Sequence, residues 1–458
     1  MQILLTGGTG LIGSHLGIEL VRAGHSITAL TRSGRANDLP FPATCMAWDH
    51  KSEISAEKLD PSGAGFDVII HLAGEPVAQR WTSATKKRIR DSRVISTKAL
   101  VSSVLNLSRR PATWINASAI GIYGNSVNPK LTEESTPGEG FLVDVCKEWE
   151  GALNAIDPSV RQAFVRLGVV LSGEGGALPK MMLPFRYGLG GPIGDGRQCM
   201  SWIHLHDVVH SILHVMNTES LKGPVNLVAP NPTTNLEFTA ALGRALHKPA
   251  FFPVPKLVLS LALGAMSQVI TDSASVYPEK LLNSGFQFKF PDLKSALADI
   301  LTSDIPTGAR VLVARQWIIG TPEENFTFFA AAENLERITP PWLNFRITKK
   351  SSETMAAGLL IDYKLKIKGL PIRWRTRIEN WNPPKEFVDT QLRGPYNLWH
   401  HTHKFERLGK GTLMTDRVIY KMHFWPFGDV ALPVVSNDVK TIFAYRKKVI
   451  EKLFSRTS

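Results

Sequence analysis

The chain opens with an apolar run, Ile3-Leu4-Leu5, then a glycine-spaced turn, then Ile12, Leu16 and Leu20 at helical spacing. Gly24 ends that helix, and Ile27-Thr28-Ala29-Leu30 reads as the next strand. Further along, strand candidates alternate with helical stretches. Phe66 to Leu72, Thr113 to Ser118 and Ala163 to Leu171 read as strands, Lys86 to Leu107 and Leu142 to Ile156 as helices. This alternation predicts an α/β domain with a Rossmann-type, doubly wound parallel sheet. From Arg310 the pattern changes to a strand up to Ile318, helical segments through Phe329 and Ile338, several β-rich runs and a closing helix from Val434 to Phe454. The polar stretch Thr302 to Gly308 reads as a linker. The predicted organisation is therefore a first domain over 1–300, a linker over 301–309 and an α+β domain over 310–458.

One hairpin in the second domain shows its periodicity directly. Lys364, Lys366 and Lys368 alternate with Leu365 and Ile367, and beyond Gly369-Leu370-Pro371 the residues Arg373, Arg375 and Arg377 flank Trp374. Six cations are thus expected on one sheet face, offset by acids on an adjacent strand such as Glu406 and Asp416, or by an anionic partner. Trp374 points away from the arginines, which argues against a nucleic-acid stacking platform. A solvated face with local ion pairs and an acidic membrane surface both remain open.

Composition changes this picture in two ways. A chain of 458 residues exceeds one ordinary core. Of its net charge of +13, the residues from Arg310 onward hold +11, with 25 Lys and Arg against 14 Asp and Glu. So uneven a balance supports two domains. Cys45, Cys146 and Cys199 are too few and too scattered for a disulfide framework, so a reducing compartment is expected. The first strand begins at once, leaving no room for a signal peptide, and the apolar stretch Leu257 to Met266 is too short to span a bilayer. The expected location is cytoplasmic.

Candidate chemistry starts at Gly7-Gly8-Thr9-Gly10-Leu11-Ile12-Gly13. Gly7 permits a sharp turn, Gly10 lets the backbone approach a pyrophosphate, and Gly13 allows helix to pack closely on strand, so that phosphates meet free amides at a helix N-terminus. At the end of the second strand stands Arg32 rather than an acid. A guanidinium suits the 2'-phosphate of NADP, whereas an Asp or Glu would suit the ribose hydroxyl of NAD. A solvated surface role for Arg32 is the alternative, and Arg35 lies close enough to substitute. Ligands in such sheets sit beyond the carboxyl ends of the strands, which places His71-Leu72-Ala73-Gly74 and Ala117-Ser118-Ala119 on the ligand side. Leu72, Ala73 and Gly74 would let a cofactor lie against backbone.

These motifs, with Gly121-Ile122-Tyr123-Gly124, Arg166-Leu167-Gly168 and Ser201-Trp202-Ile203-His204-Leu205-His206-Asp207-Val208, resemble the extended and atypical short-chain dehydrogenase/reductases of the sugar-nucleotide epimerase-like branch. The stretch Val254 to Phe290 resembles the C-terminal extension of one atypical subgroup. The resemblance implies NADP(H) binding and a catalytic Tyr-x-x-x-Lys pair, and this chain departs from the latter. Aligning on Glu150 puts Leu142 at the tyrosine position and Cys146 at the lysine position. The family's upstream serine is Ser118, and its expected asparagine is replaced by Arg93. In this reading Ser118 orients a substrate oxygen, Arg93 organises cofactor or an anion, and Cys146 or Tyr123 moves the proton. Lowering the pKa of Cys146 would take a nearby cation, Arg93 or Lys147. A small buried cysteine is the competing reading, as a pocket wall is for Tyr123.

The glycine-rich segment Phe185 to Trp202, with Arg186 and Arg197, reads either as a lid over an anionic group or as an irregular connection. His204, His206 and Asp207 lack a further ligand cluster and read as structural, so no metal is expected. In the second domain, Pro340 to Phe345, Gly394 to Glu406 and the closing helix resemble the START-like helix-grip fold, which implies a cavity for a hydrophobic ligand. His401 and His403 share a strand face with Trp399. Hydrogen-bonding cavity histidines and a metal pair are both open there, with His423 as the other nameable ligand. Two functions follow as expectations. One is an NADP-dependent oxidoreductase or epimerase acting on a small molecule. The other is a non-catalytic NADPH-bound sensor or ligand carrier.

Overall fold

In the computed structural model, which describes residues 1–255, 259–261, 264–301, 305–306, 308–423 and 432–454, the opening apolar runs become β1 (Gln2–Thr6) and β2 (Ser26–Thr31). They are joined by β3 (Thr44–Ala47), β4 (Val68–His71), β5 (Thr113–Ala119), β6 (Arg161–Leu167), β7 (Val169–Leu171), β8 (Cys199–Met200), β9 (Trp202–His204), β10 (Gly223–Leu227) and β11 (Thr233–Thr234). Seven of these form one sheet in the order β10-β6-β5-β4-β1-β2-β3, with every pairing parallel. The order reverses between β1 and β4, which opens the crevice where doubly wound sheets take ligands. The helices Leu11–Arg22, Ser83–Leu105 and Phe141–Gly151 connect the strands that border it.

Burial explains why these strands read as unbroken apolar runs. Ile3, Leu4, Leu5, Ile69, Ile70, Trp114 and Ile115 are fully buried, because helices cover both faces of a parallel sheet. The predicted strand Ala163 to Leu171 is in fact two. At Gly168 the chain changes partner, with the Gly168 amide donating to the Leu227 carbonyl and the Val169 amide to that of Ser201. A Cβ on Gly168 would come within 2.8 Å of Val228 and 2.9 Å of the Ser201 carbonyl oxygen, so only glycine fits the switch. The helix expected over Leu142 to Ile156 ends at Gly151 and continues as turns.

The chain divides into two units, Met1–Asp38 with Ala43–Thr302, and Leu39–Pro42 with Ser303–Ser458. Within the linker, residues 302–304 and 307 lie outside the described residues, as do 257–258 and 262–263 of the apolar stretch.

The second unit is a seven-stranded antiparallel sheet. Its strands are β12 (Arg310–Ile319), β13 (Arg346–Lys350), β14 (Leu360–Ile367), β15 (Leu370–Asn382), β16 (Glu386–Arg393), β17 (Leu398–Leu408) and β18 (Gly411–Lys421), in the order β12-β18-β17-β16-β15-β14-β13. The helices Pro322–Ala330 and Ala332–Ile338 follow β12, and the helix Leu432–Phe454 closes the chain. Its Val439, Phe443 and Ile450 are buried with Val418 and Tyr420 or with Phe405 and Met414 of the sheet. Alternation in the β14–β15 hairpin is as the sequence predicts. Ile361, Tyr363, Leu365 and Trp374 are buried while Lys364, Lys366, Arg373 and Arg375 are exposed. Other acids than Asp416 pair with the hairpin. Arg375 makes a fork to Asp362 at 2.7 and 2.9 Å, Arg377 meets Glu379 at 3.2 Å, and Lys368 meets Asp438 at 3.3 Å. Asp416 instead lies buried. No helix among the described residues is long and apolar enough to cross a membrane.

Candidate functional site

The glycine turn between β1 and the helix Leu11–Arg22 is built for a close approach. Gly7 has φ +75°, and a Cβ there would lie 2.8 Å from the Leu72 carbonyl and 2.9 Å from the Ala73 amide nitrogen. At Gly13 a Cβ would come within 2.2 Å of the Gly7 carbonyl oxygen. The turn tip, Thr9 and Gly10, is exposed, and Leu11 and Ile12 are half-buried. Gly10 caps the helix without any side-chain hydrogen bond, and the first turn carries no acid. The first-turn amides and the positive end of the helix dipole therefore remain available to an anion. The residues present fit a dinucleotide.

On the neighbouring strand, β4 delivers Leu72, Ala73 and Gly74 to the same rim. Thr6 Oγ1 lies 2.6 Å from His71 Nδ1 and accepts from the Ala73 amide at 3.2 Å, while Ser96 Oγ lies 3.3 Å from His71 Nε2. His71 is fully buried, and desolvation pushes its pKa down to about 3, so it is a neutral strut joining two strands and a helix. Arg32 stands exposed just beyond β2 and has no hydrogen-bond or ion-pair partner among the described residues. Arg35 is engaged with Asp38 at 3.4 Å.

Arg93 lies beside Gly74, where a Cβ would sit 3.3 Å from the guanidinium carbon. Its Nη1 donates to the Ile89 carbonyl at 3.0 Å, and the guanidinium stacks over Trp149 with 5.1 Å to the ring centroid. Nη2 and Nε make no hydrogen bond among the described residues. Arg93 is thus a cation held by its stem with donors to spare, as an oxyanion or phosphate would require.

Three other candidates are placed differently from the sequence reading. Cys146 is buried, its Sγ directed at the Ala119 carbonyl oxygen 3.7 Å away. Burial, with the Glu150 charge, pushes its thiol up to about 11 against the lowering effect of Arg93. Of the two readings, burial and the raised pKa favour the packed thiol. Tyr123 is 2% exposed; its hydroxyl donates to Asn226 Oδ1 at 2.7 Å and accepts from Arg166 Nη1 at 3.0 Å. Burial raises its pKa, and the ring packs in a buried cluster with Ile122, Leu131 and Val276. Ser118 remains at the carboxyl end of β5, but its hydroxyl donates to Glu150 Oε1 at 2.6 Å. Leu142, at the tyrosine position, packs where a Cβ on Gly121 would meet it at 3.2 Å.

Sequence reasoning missed the network behind these residues. Glu150 takes a two-pronged ion pair from Arg166, 3.0 Å from Nε and 2.9 Å from Nη2. Through Tyr123 this reaches Asn226, whose amide donates to Glu133 Oε1 at 3.0 Å. Burial raises the Glu133 pKa. The available signal was a set of polar residues inside apolar strands: Arg166 in β6 and Asn226 in β10.

The lid reading of Phe185 to Trp202 gives way to close packing. The Phe252 amide donates to the Gly190 carbonyl and the Val254 amide to that of Pro192, while a Cβ on Gly191 would lie 1.7 Å from the Phe252 carbonyl oxygen. Arg197 is exposed and Arg186 half-buried. Asp207 accepts from the Lys289 and Phe290 amides, both at 3.0 Å, and His204 Nδ1 accepts from the His206 amide at 3.1 Å. All three residues are thus engaged within the fold.

In the second unit, a cavity of about 180 Å³ is lined chiefly by apolar side chains, among them Leu335, Phe345, Ile361, Trp374 and Phe443, with His401, His403, Asp389 and Arg446 among its polar groups. Among the described residues, Asp389 is the third potential ligand beside the histidines.

Residues 3–142 match the NAD dependent epimerase/dehydratase family, and residues 254–300 match a domain of unknown function, DUF1731. The chain is 38% identical over 303 residues to the epimerase family protein YfhF of Bacillus subtilis strain 168, covering 66% of this chain and 98% of that protein. Among solved structures it is similar to the human epimerase family protein SDR39U1 (isoform 2) with NADPH, at 33% identity and a TM-score of 0.58, over 66% of this chain and all of that one. It is also similar to a nucleoside-diphosphate sugar epimerase from Corynebacterium glutamicum, at 33% identity and a TM-score of 0.53, over 66% of this chain and 58% of that one.

Proposed function

The chain belongs to the NAD dependent epimerase/dehydratase family, and from that premise we propose that its first unit binds NADP(H) and presents it as the bound ligand of a sensor or carrier. The observation that carries the reading is the pairing of a turn that fits a pyrophosphate, at Gly7, Gly10 and Gly13, with a site whose two proton-transfer candidates, Cys146 and Tyr123, are packed away. Arg32, exposed and unpartnered among the described residues, is the side chain that selects NADP(H) over NAD(H). When bound, the dinucleotide supplies a hydride-transfer centre. This chain's own residues bind its phosphates and bring Arg93 beside it. The second unit, read as a START-like helix-grip domain, supplies the cavity for an apolar ligand. Three free, scattered cysteines support a reducing, cytoplasmic location.

Titration calorimetry of the full chain with NADPH and NADH tests the first claim. NADPH is expected to bind at least tenfold tighter, and Arg32→Ala to erase the difference; equal affinities in the parent protein would overturn it. Coupling is tested with 1-anilinonaphthalene-8-sulfonate as the apolar probe. Its affinity should change between apo and NADPH-saturated protein, and an unchanged affinity would refute the sensor role.

A second reading, NADP-dependent oxidoreductase or epimerase chemistry on a small molecule, is favoured by the spare donors of Arg93, which suit an oxygen gaining negative charge. NADPH oxidation by a carbonyl substrate that is lost in Arg93→Met, with cofactor affinity retained, would put this reading first.

A further inference from the structure

The second unit holds a cluster that the dinucleotide site does not use. β17 places His401 and His403 on one buried face, two residues apart. In the sheet register β16 sets Asp389 opposite His401, and β18 sets Asp416 opposite His403. Asp389 Oδ2 lies 3.5 Å from His401 Nδ1 and 3.0 Å from His403 Nε2. On the far side of both rings, Asp416 Oδ1 lies 3.0 Å from His401 Nε2 and 2.8 Å from His403 Nδ1. Each carboxylate therefore faces one nitrogen of each imidazole. Ligand atoms of Asp389, His401 and His403 all fall within 4.8 Å of one another.

We propose that Asp389, His401 and His403 bind a divalent first-row transition ion of the zinc class, with Asp416 as the positioning carboxylate. Ligands about 2.0–2.2 Å from a tetrahedral ion stand roughly 3.4 Å from one another, and the 3.0 and 3.5 Å separations here bracket that value. A metal-bound histidine uses one nitrogen on the ion and donates its other N–H to a carboxylate, which fixes ring and tautomer. Asp416 is that partner for His401 Nε2, at 3.0 Å, and lies 2.8 Å from His403 Nδ1. With its proton at Nε2, His401 turns the Nδ1 lone pair toward the Asp389 oxygen, and a bound ion would replace the proton that His403 Nε2 shares with that same oxygen. Two hydrogen bonds run within the cluster, His401 Nε2 with Asp416 and His403 Nε2 with Asp389, and they leave His403 Nδ1, although near Asp416, without hydrogen-bond alignment.

The surroundings favour a soft, partly dehydrated ion over magnesium or calcium. Phe387 stacks on His403 at 4.1 Å between ring centroids, and Phe443 meets His401 edge-on at 5.5 Å. Arg446 lines the same cavity with its Nε unpartnered, and its charge opposes a cation. Two carboxylates against one divalent ion and one guanidinium leave a single positive charge, and Asp389, His401 and His403 all line the cavity.

The test uses the full chain, stripped with chelator and titrated with cobalt(II), then zinc(II). One equivalent of cobalt should give the intense visible bands of low-coordinate Co(II), and zinc should abolish them. His403→Ala and Asp389→Asn should each weaken cobalt binding at least a hundredfold, and Asp416→Asn should weaken it ten- to a hundredfold while keeping the stoichiometry. Circular dichroism and NADPH affinity report whether each variant folds. Absence of saturable one-to-one cobalt binding in the parent protein overturns the proposal without recourse to any variant. So does persistence of the same bands in folded His401→Ala/His403→Ala, which would place the ion elsewhere, for instance on the histidines of the first unit.

Discussion

Ser118 Oγ donates to Glu150 Oε1 at 2.6 Å, on the carboxylate that Arg166 grips with two nitrogens. The hydroxyl is thereby part of a buried ionic strut joining the ends of β5 and β6 to the helix Phe141–Gly151. Removing one partner of a buried pair leaves the other charge uncompensated. Arg166→Leu should therefore cost about 3–5 kcal/mol in urea unfolding. Ser118→Ala should cost about 1 kcal/mol. A loss below about 1 kcal/mol for Arg166→Leu would show that Glu150 is solvated or neutral in the fold.

The glycine turn makes a sharper prediction. Gly13→Ala forces a Cβ into the Gly7 carbonyl, so the helix must back away from the strand. Overpacking of this kind should cost about 1–3 kcal/mol. NADPH affinity should fall more than tenfold, as measured by calorimetry. Gly24→Ala is the control. Its φ of +80° strains an alanine, but no atom lies within 4 Å of the added Cβ, so stability drops while NADPH affinity holds.

Cys146 should resist alkylation. Iodoacetamide near pH 8 is expected to label Cys199, while Cys146 and Cys45, both held up to about 11, react only on unfolding. Peptide mapping checks this. The sign for stability follows from the raised folded pKa: between about pH 9 and 11 the unfolded thiols ionise and the folded ones do not. Stability is therefore lost as pH rises through that window, and Cys146→Ala should flatten the slope in part.

His71 acts in the opposite direction. Its folded pKa of about 3 lies below the unfolded value of 6.5, so on acidification the unfolded state takes up a proton first. Stability is present above about pH 6.5 and declines as pH falls toward 3. His71→Asn, which keeps a polar group beside Thr6, should lower the neutral-pH stability and remove most of that acid slope in thermal unfolding. An unchanged slope would mean that His71 takes up its proton inside the fold.

Most of the first unit could be read from the sequence because its signals are local. Helices cover both faces of a parallel sheet, so its strands appear as apolar runs, and the Gly7–Gly13 spacing is a backbone requirement that contiguous residues express. The alternation of Lys364, Lys366, Arg373 and Arg375 with buried neighbours was equally legible, since a strand has a period of two.

Tertiary structure alone decided what depends on approach between distant segments. Whether Cys146 is a nucleophile or a packed thiol turns on its depth below Ala119, and whether Tyr123 meets solvent turns on Asn226, about a hundred residues away. Register sets Asp362 opposite Arg375 across the basic hairpin, whereas Glu379 meets Arg377 from two residues along the same strand. His401 and His403 announced themselves by spacing. That Asp389 and Asp416 flank them was invisible until β16 and β18 closed on either side, since the pairing of strands fixes which side chains share a buried face and no single strand encodes its neighbours.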